Sequence, residues 1–136
     1  MDLFAGVRPI LANPDVLVLL AGLRNKDIDL VIMREFTEGL FRGRENHEII
    51  GDAEARDTQI NTRKTPERLF PFTFEINSAR KERSRRGRVA CIDKANMPTY
   101  MAFFRIIFNE IAPEFPDCAA DHHYIDAKAL DLVRRP

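Results

Sequence analysis

Arg88-Val89-Ala90-Cys91-Ile92-Asp93-Lys94-Ala95-Asn96 is the stretch on which the fold turns. Its apolar run, 89–92, is of β type, and it delivers three polar groups, Asp93, Lys94 and Asn96, to the brink of a long apolar helical segment. A lysine at a strand end is placed like a site residue. Buried near other cations, such an amine can lose its proton and act as an acid or base, because desolvation penalises the charged form. The plainer reading is a solvated lysine in a strand-to-helix turn. Composition alone favours that reading, and residues further along decide against it.

Downstream, the pattern predicts a helix over 98–112. Tyr100, Phe103, Phe104, Ile107, Phe108 and Ile111 make an apolar stripe at helical spacing, flanked by Met101 and Ile106. The stripe is wide for one core face, which predicts packing on two sides and a partner subunit. Pro113 and Pro116 end the helix, a strand follows over 122–125 with Asp126 at its end, and a short helix is expected over 127–133. Metal binding by His122 and His123 is disfavoured, since adjacent residues on a strand point to opposite faces.

Upstream, Thr65-Pro66-Glu67 is a good helix start, with threonine as cap, and the helix should run to about 81. Leu69, Phe72, Ile76 and Ala79 would share its buried face, widened by Phe70 and Phe74, and Pro71 should bend the axis. Residues 80–88 carry six basic side chains in nine. Gly87 breaks the run and no aromatic residue interleaves to stack a base, so a solvated turn is the expectation.

Nearer the amino terminus, 2–10 reads as a start in mid-fold with a strand-like run, and Pro14 opens a short helix ending near Gly22. A buried strand is expected over 29–33, then a tight loop marked by Gly39 and Gly43. The polar stretch 44–58 reads as a projecting hairpin, with 58–62 as the strand that returns.

The chain has 136 residues, 45% hydrophobic and 31% charged, enough for one globular domain with a core. Its 21 basic and 21 acidic residues cancel, which gives no general footing for nucleic acid. The two cysteines, Cys91 and Cys118, suit reduced intracellular thiols better than a disulfide framework. The longest apolar run, 16–23, is too short to span a bilayer, and no signal-peptide pattern opens the chain. A cytoplasmic protein with no membrane partner is expected.

Four stretches together carry a resemblance: Asp2-Leu3-Phe4-Ala5-Gly6-Val7-Arg8-Pro9, Arg34-Glu35-Phe36-Thr37-Glu38-Gly39, Asp93-Lys94-Ala95-Asn96 and Tyr124-Ile125-Asp126-Ala127. In this order and at these separations the chain resembles the isocitrate/isopropylmalate dehydrogenase family, with its tartrate dehydrogenase relatives. The isopropylmalate branch is the nearer likeness, through 91–96 and 131–136. The resemblance implies an α/β fold, mainly the family's second domain, which dimerises and binds substrate, with a projecting arm. The 136 residues would be a single partial domain, a piece of an enzyme whose nucleotide-binding parts are absent.

It further implies NAD- or NADP-linked oxidation of a 2-hydroxy dicarboxylate such as 3-isopropylmalate, usually with decarboxylation, assisted by Mg2+ or Mn2+. Arg8 and Arg34 would hold the substrate carboxylates as forks. Asp126 would be a metal ligand, and Asn96 a cofactor contact. Lys94 would be the acid/base group, working in the site of the other subunit of a homodimer. Two positions depart from the family's pattern: Phe41 stands at the position of a proton-donating tyrosine, and Gly6 where asparagine is common. The alternative is a non-catalytic dimerisation remnant of the same family.

Overall fold

The computed structural model describes residues 3–15, 28–82, 87–97 and 99–134. In chain order these form β1 (Gly6–Leu11), β2 (Asp29–Arg34), a one-turn helix α1 (Leu40–Gly43), β3 (Glu48–Ile50), β4 (Glu54–Arg56), α2 (Lys64–Lys81), β5 (Arg88–Asp93), α3 (Thr99–Ile111), β6 (Ala119–Tyr124) and α4 (Ile125–Arg134). The expected helix from Pro14 to Gly22 falls largely outside the described residues, which show only a turn at 14–15.

The strands pair two by two. β1 and β2 are antiparallel, with Gly6 opposite Arg34 and Leu11 opposite Asp29. β3 and β4 form the expected hairpin, and both its strands are exposed. β5 and β6 are parallel, Arg88 opposite Ala119 and Asp93 opposite Tyr124. Parallel neighbours need a crossover, and α3 supplies it. The order strand, helix, strand is the one expected over 89–92, 98–112 and 122–125, with β6 beginning three residues earlier than expected, at Ala119.

The core lies between α2, α3 and β5. Phe74 and Ile107 are fully buried and Phe108 nearly so, joined by Phe70, Val89, Cys91, Ile111 and Cys118. Phe74 stacks on Phe115 with ring centres 4.7 Å apart, and Phe70 meets Phe108 edge-on at 5.2 Å. Each buried phenylalanine contributes about 1.5–3 kcal/mol through area removed from water. Both cysteines are free and buried.

Four expectations need correction. First, α2 begins at Lys64, so Thr65 is not its cap but lies buried in the first turn. Its buried face is Pro66, Leu69, Phe70, Phe74 and Asn77, whereas Phe72 and Ile76 are half-buried and Ala79 is exposed. The face is rotated because Phe70 and Phe74 meet the aromatic side of α3, and because Asn77 Nδ2 donates to the buried Cys118 sulfur at 3.0 Å. Second, β2 is half-buried rather than buried, with Ile32 40% exposed, as suits a two-stranded ribbon. Third, 58–62 is not a strand: Ile60 makes a single bridge to Gly39. Fourth, Ile125 starts α4 instead of ending β6, which puts Asp126 in a first helical turn.

Candidate functional site

Because β5 and β6 run parallel and in register, their carboxyl ends lie side by side. Lys94 follows directly on β5, and Asp126 follows β6 by one residue. Lys94 Nζ donates to Asp126 Oδ1 at 3.1 Å, across 32 positions of sequence. Both side chains are substantially open to solvent, 40% and 62%. An exposed ion pair is worth at most about 1 kcal/mol, so the contact matters as placement rather than as stabilisation. Asn96 is exposed on the same turn.

Asp93 is not presented with them, contrary to the reading of three polar groups at the strand end. It is 2% exposed and turned inward, where Arg105 from α3 grips it with a fork, Nε to Oδ2 at 2.7 Å and Nη2 to Oδ1 at 2.5 Å. Oδ1 also accepts the backbone N–H of Ala95 at 2.8 Å, which winds the turn around the carboxylate. The Asp93 bonds raise the Arg105 pKa further, keeping the guanidinium charged. Burial first, and then the neighbouring Asp93 charge, push the Cys91 thiol up to about 12. Arg105 was detectable in the sequence as the one cation in the middle of an apolar helix, which demands a buried partner.

Arg8 and Arg34 form a second pair on the β1–β2 ribbon. Gly6 faces Arg34, and Arg8 is two residues beyond Gly6, so alternation puts both arginines on one face as diagonal neighbours. Both are exposed. Arg34 also borders a cavity of about 580 Å³ that Tyr100, Ile125 and Lys128 line, but Arg8, Lys94 and Asp126 do not. Thus there are two pairs, one on the β1–β2 ribbon and one beyond the carboxyl ends of β5 and β6.

The loop after β2 is fixed by two carboxylates, Glu35 and the buried Glu38, which accepts from Thr62 and Arg42. Glu35 Oε1 accepts both the N–H and the hydroxyl of Thr37, at 2.5 and 2.6 Å. Gly39 adopts φ 72°, open to glycine at little cost, and Gly43 packs so tightly that a Cβ there would lie 1.7 Å from the Thr58 carbonyl oxygen. Between them Phe41 is 64% exposed. Gly6 also has a local reason: a Cβ there would meet the Phe36 ring at 2.9 Å.

Among the described residues no group of three or more His, Cys, Asp or Glu side chains could hold a metal ion. Asp126 is a hard oxygen donor of the kind Mg2+ or Mn2+ takes, but it offers one ligand only. His122 is exposed and His123 half-buried, on alternate faces as expected. None of the described helices is long and apolar enough to cross a membrane.

A parallel βαβ unit with polar groups meeting beyond its carboxyl ends defines an α/β protein, a class in which ligands bind outside the carboxyl ends of the strands. The family model for isocitrate/isopropylmalate dehydrogenase matches residues 1–136. The 3-isopropylmalate/3-methylmalate dehydrogenase of Methanocaldococcus jannaschii is 36% identical over all of this chain and 39% of its own length. The 3-isopropylmalate dehydrogenase of Thermotoga maritima is 34% identical, matched over 37% of its length. Among solved structures, the TT0538 protein of Thermus thermophilus superposes with a TM-score of 0.83 at 31% identity, over 98% of this chain and 25% of that one. Isocitrate dehydrogenase of Methylococcus capsulatus does so at 0.78 and 32%, over 98% of this chain and 38% of that one. The chain belongs to the isocitrate/isopropylmalate dehydrogenase family. It spans less than two fifths of the length of these relatives.

Proposed function

We propose that these residues form the central substrate-binding and dimerising part of an NAD- or NADP-linked, metal-dependent dehydrogenase acting on a 2-hydroxy dicarboxylate such as 3-isopropylmalate. The observation that carries this reading is the meeting of Lys94 and Asp126 at 3.1 Å beyond two parallel strand ends. Arg8 and Arg34, on one face of a separate ribbon, are a two-cation clamp for a dianion, with bidentate geometry available at each carboxylate. Lys94 takes the proton of the substrate hydroxyl and returns a proton later. Asp126 supplies one oxygen ligand to Mg2+ or Mn2+, which would polarise the hydroxyl and carboxylate oxygens when bound. Asn96, on the lysine's own turn, offers a polar contact to the nicotinamide cofactor. The placing of one pair on the β1–β2 ribbon and the other beyond the β5 and β6 ends favours a site shared between two copies, with Lys94 and Asp126 serving the partner's arginines.

One specific observation favours a second reading, a dimerising remnant without chemistry: Phe41 carries no proton to donate and stands exposed. Turnover of the whole protein with 3-isopropylmalate, NAD+ and Mg2+ separates the two. Lys94→Met should lower kcat by about a hundredfold or more while leaving KM nearly unchanged, the scale of one positioned acid/base group. Asp126→Asn should raise the metal concentration needed for half-maximal rate and weaken Mn2+ binding measured by electron paramagnetic resonance. Unaltered turnover in Lys94→Met would remove the dehydrogenase reading.

A further inference from the structure

The exposed pair of Lys94 and Asp126 has too little energy of its own to hold two flexible side chains in one geometry, because rotamer entropy and screening offset the attraction. The main chains that carry them must therefore be placed by something beneath. Asp93 and Tyr124 are register partners across β5 and β6, one immediately before Lys94 and the other two residues before Asp126. A single side chain touches both. Arg105 forks onto the Asp93 carboxylate at 2.5 and 2.7 Å, and its Cζ lies 4.7 Å from the centre of the Tyr124 ring.

We infer that Arg105 is a positioning residue of the site: one guanidinium from α3 fixes the carboxyl ends of β5 and β6 against each other and so sets the Lys94–Asp126 separation. The inference rests on the reading of Lys94 and Asp126 as site residues.

The chemistry suits arginine and no other cation. Its plane presents a fork to the carboxylate and a flat face to the ring at the same time, whereas an ammonium is a point charge that satisfies one of them. The carboxylate that Arg105 holds is also the one on which the lysine's turn is wound, through Ala95 N–H to Asp93 Oδ1. On its other side the turn is closed by Met97 N–H donating to the Lys94 carbonyl at 3.0 Å. The main chain of Lys94 is therefore held on both flanks while its amine stays accessible. Arg105 itself keeps only 17% of its side-chain surface and Asp93 none, so the tie is shielded from the screening that weakens the pair above it.

Competitive acetylation of the purified chain, read by mass spectrometry, tests this without any need for activity. The rate at Lys94 is taken relative to exposed Lys64, which opens α2 and serves as internal standard. An amine engaged by a carboxylate reacts slowly, so Asp126→Asn should raise the Lys94 ratio by about two- to fivefold, the range an exposed pair allows. Arg105→Lys, kept folded by circular dichroism, should raise it nearly as far. Tyr124→Leu, which leaves the Asp93 fork intact, should give a smaller rise in the same direction. An Arg105→Lys chain that is folded yet keeps the parent ratio would overturn the inference, as would equal acceleration at Lys64 and Lys94, which marks general loosening. Where Arg105→Lys does not fold, an unchanged ratio in Tyr124→Leu overturns it. Loss of the functional reading has a different signature, namely undiminished turnover in Lys94→Met, and it leaves the labelling result standing.

Discussion

Thr62 donates both its backbone N–H and its hydroxyl to the Glu38 carboxylate, each at 2.6 Å, and so ties the chain together on either side of the projecting hairpin. Glu38 is 7% exposed, and Arg42 reaches it as well at 2.8 Å. Beside it Gly39 and Ile60 exchange two backbone bonds of 2.8 and 3.1 Å. The arm is thus anchored by a carboxylate that must stay charged.

Burial on its own would raise the Glu38 pKa, but the bonds from Thr62, with those from Thr65 and Arg42, outweigh it and hold the carboxyl below its ordinary value of 4.5. A folded-state pKa below the unfolded one contributes stability that is present above about 4.5 and is lost as pH falls through the folded value. Glu38→Gln should cost about 1.5–3 kcal/mol at neutral pH, the scale of hydrogen bonds to a charged group. In urea titrations the gap between parent and variant should stay flat from neutrality to about pH 5 and close below about 4.5. A gap that does not depend on pH would mean that the charge plays no part.

Gly43 tests the same anchor sterically. A Cβ 1.7 Å from the Thr58 carbonyl oxygen cannot be accommodated by rotating a side chain, because the obstacle is backbone. Gly43→Ala should separate the base of the arm from α1, and limited proteolysis should then cut within 44–58 several times faster than in the parent. Cleavage at the parental rate would show that the approach is not needed.

Cys91 offers a test of the interior near the site. With its thiol pushed up to about 12 from an ordinary 9.0 by burial and then by the Asp93 charge, the folded state keeps a proton that the unfolded state releases. Nothing is lost below about pH 9. Above it, stability should fall by about 1.4 kcal/mol per pH unit from this group alone until the folded pKa is reached. Denaturation curves between about pH 8 and 10.5 should therefore be steeper in pH for the parent than for Cys91→Ala. Parallel curves would contradict the placement of the thiol beside a buried carboxylate.

How far the sequence carried these results depended on the kind of contact. The βαβ unit was legible because a contiguous apolar strand, a wide helical stripe and two prolines mark its parts without ambiguity. The face of α2 was not, since Phe70, Phe72, Phe74 and Ile76 satisfy two helical stripes, and the choice was made by aromatic partners and by a buried asparagine that needed Cys118. Lys94 and Asp126 could be named through their motifs, but their contact depends on parallel register, which spacing does not encode. The burial of Glu38 carried no signal: an acid beside a glycine reads as a solvated loop, and only closure over 24 positions of sequence buries it.

The strongest test of the proposed chemistry is at Phe41. The side chain is 64% exposed on the one-turn helix α1, and it does not line the cavity of about 580 Å³ that Arg34 borders. Adding a hydroxyl to an exposed ring disturbs no packing, so Phe41→Tyr should change stability by no more than about 0.5 kcal/mol. Its effect, if the proposed reaction includes decarboxylation, lies in the protonation that follows, where phenylalanine has nothing to give. In the whole protein Phe41→Tyr should then raise the decarboxylated product by about tenfold or more, a modest share of what a positioned acid supplies. Oxidation, followed as nicotinamide reduction in the same assay, should change much less. A rise in both by the same factor would point to an effect on substrate binding, and no change in either would show that a different group or a water already delivers that proton.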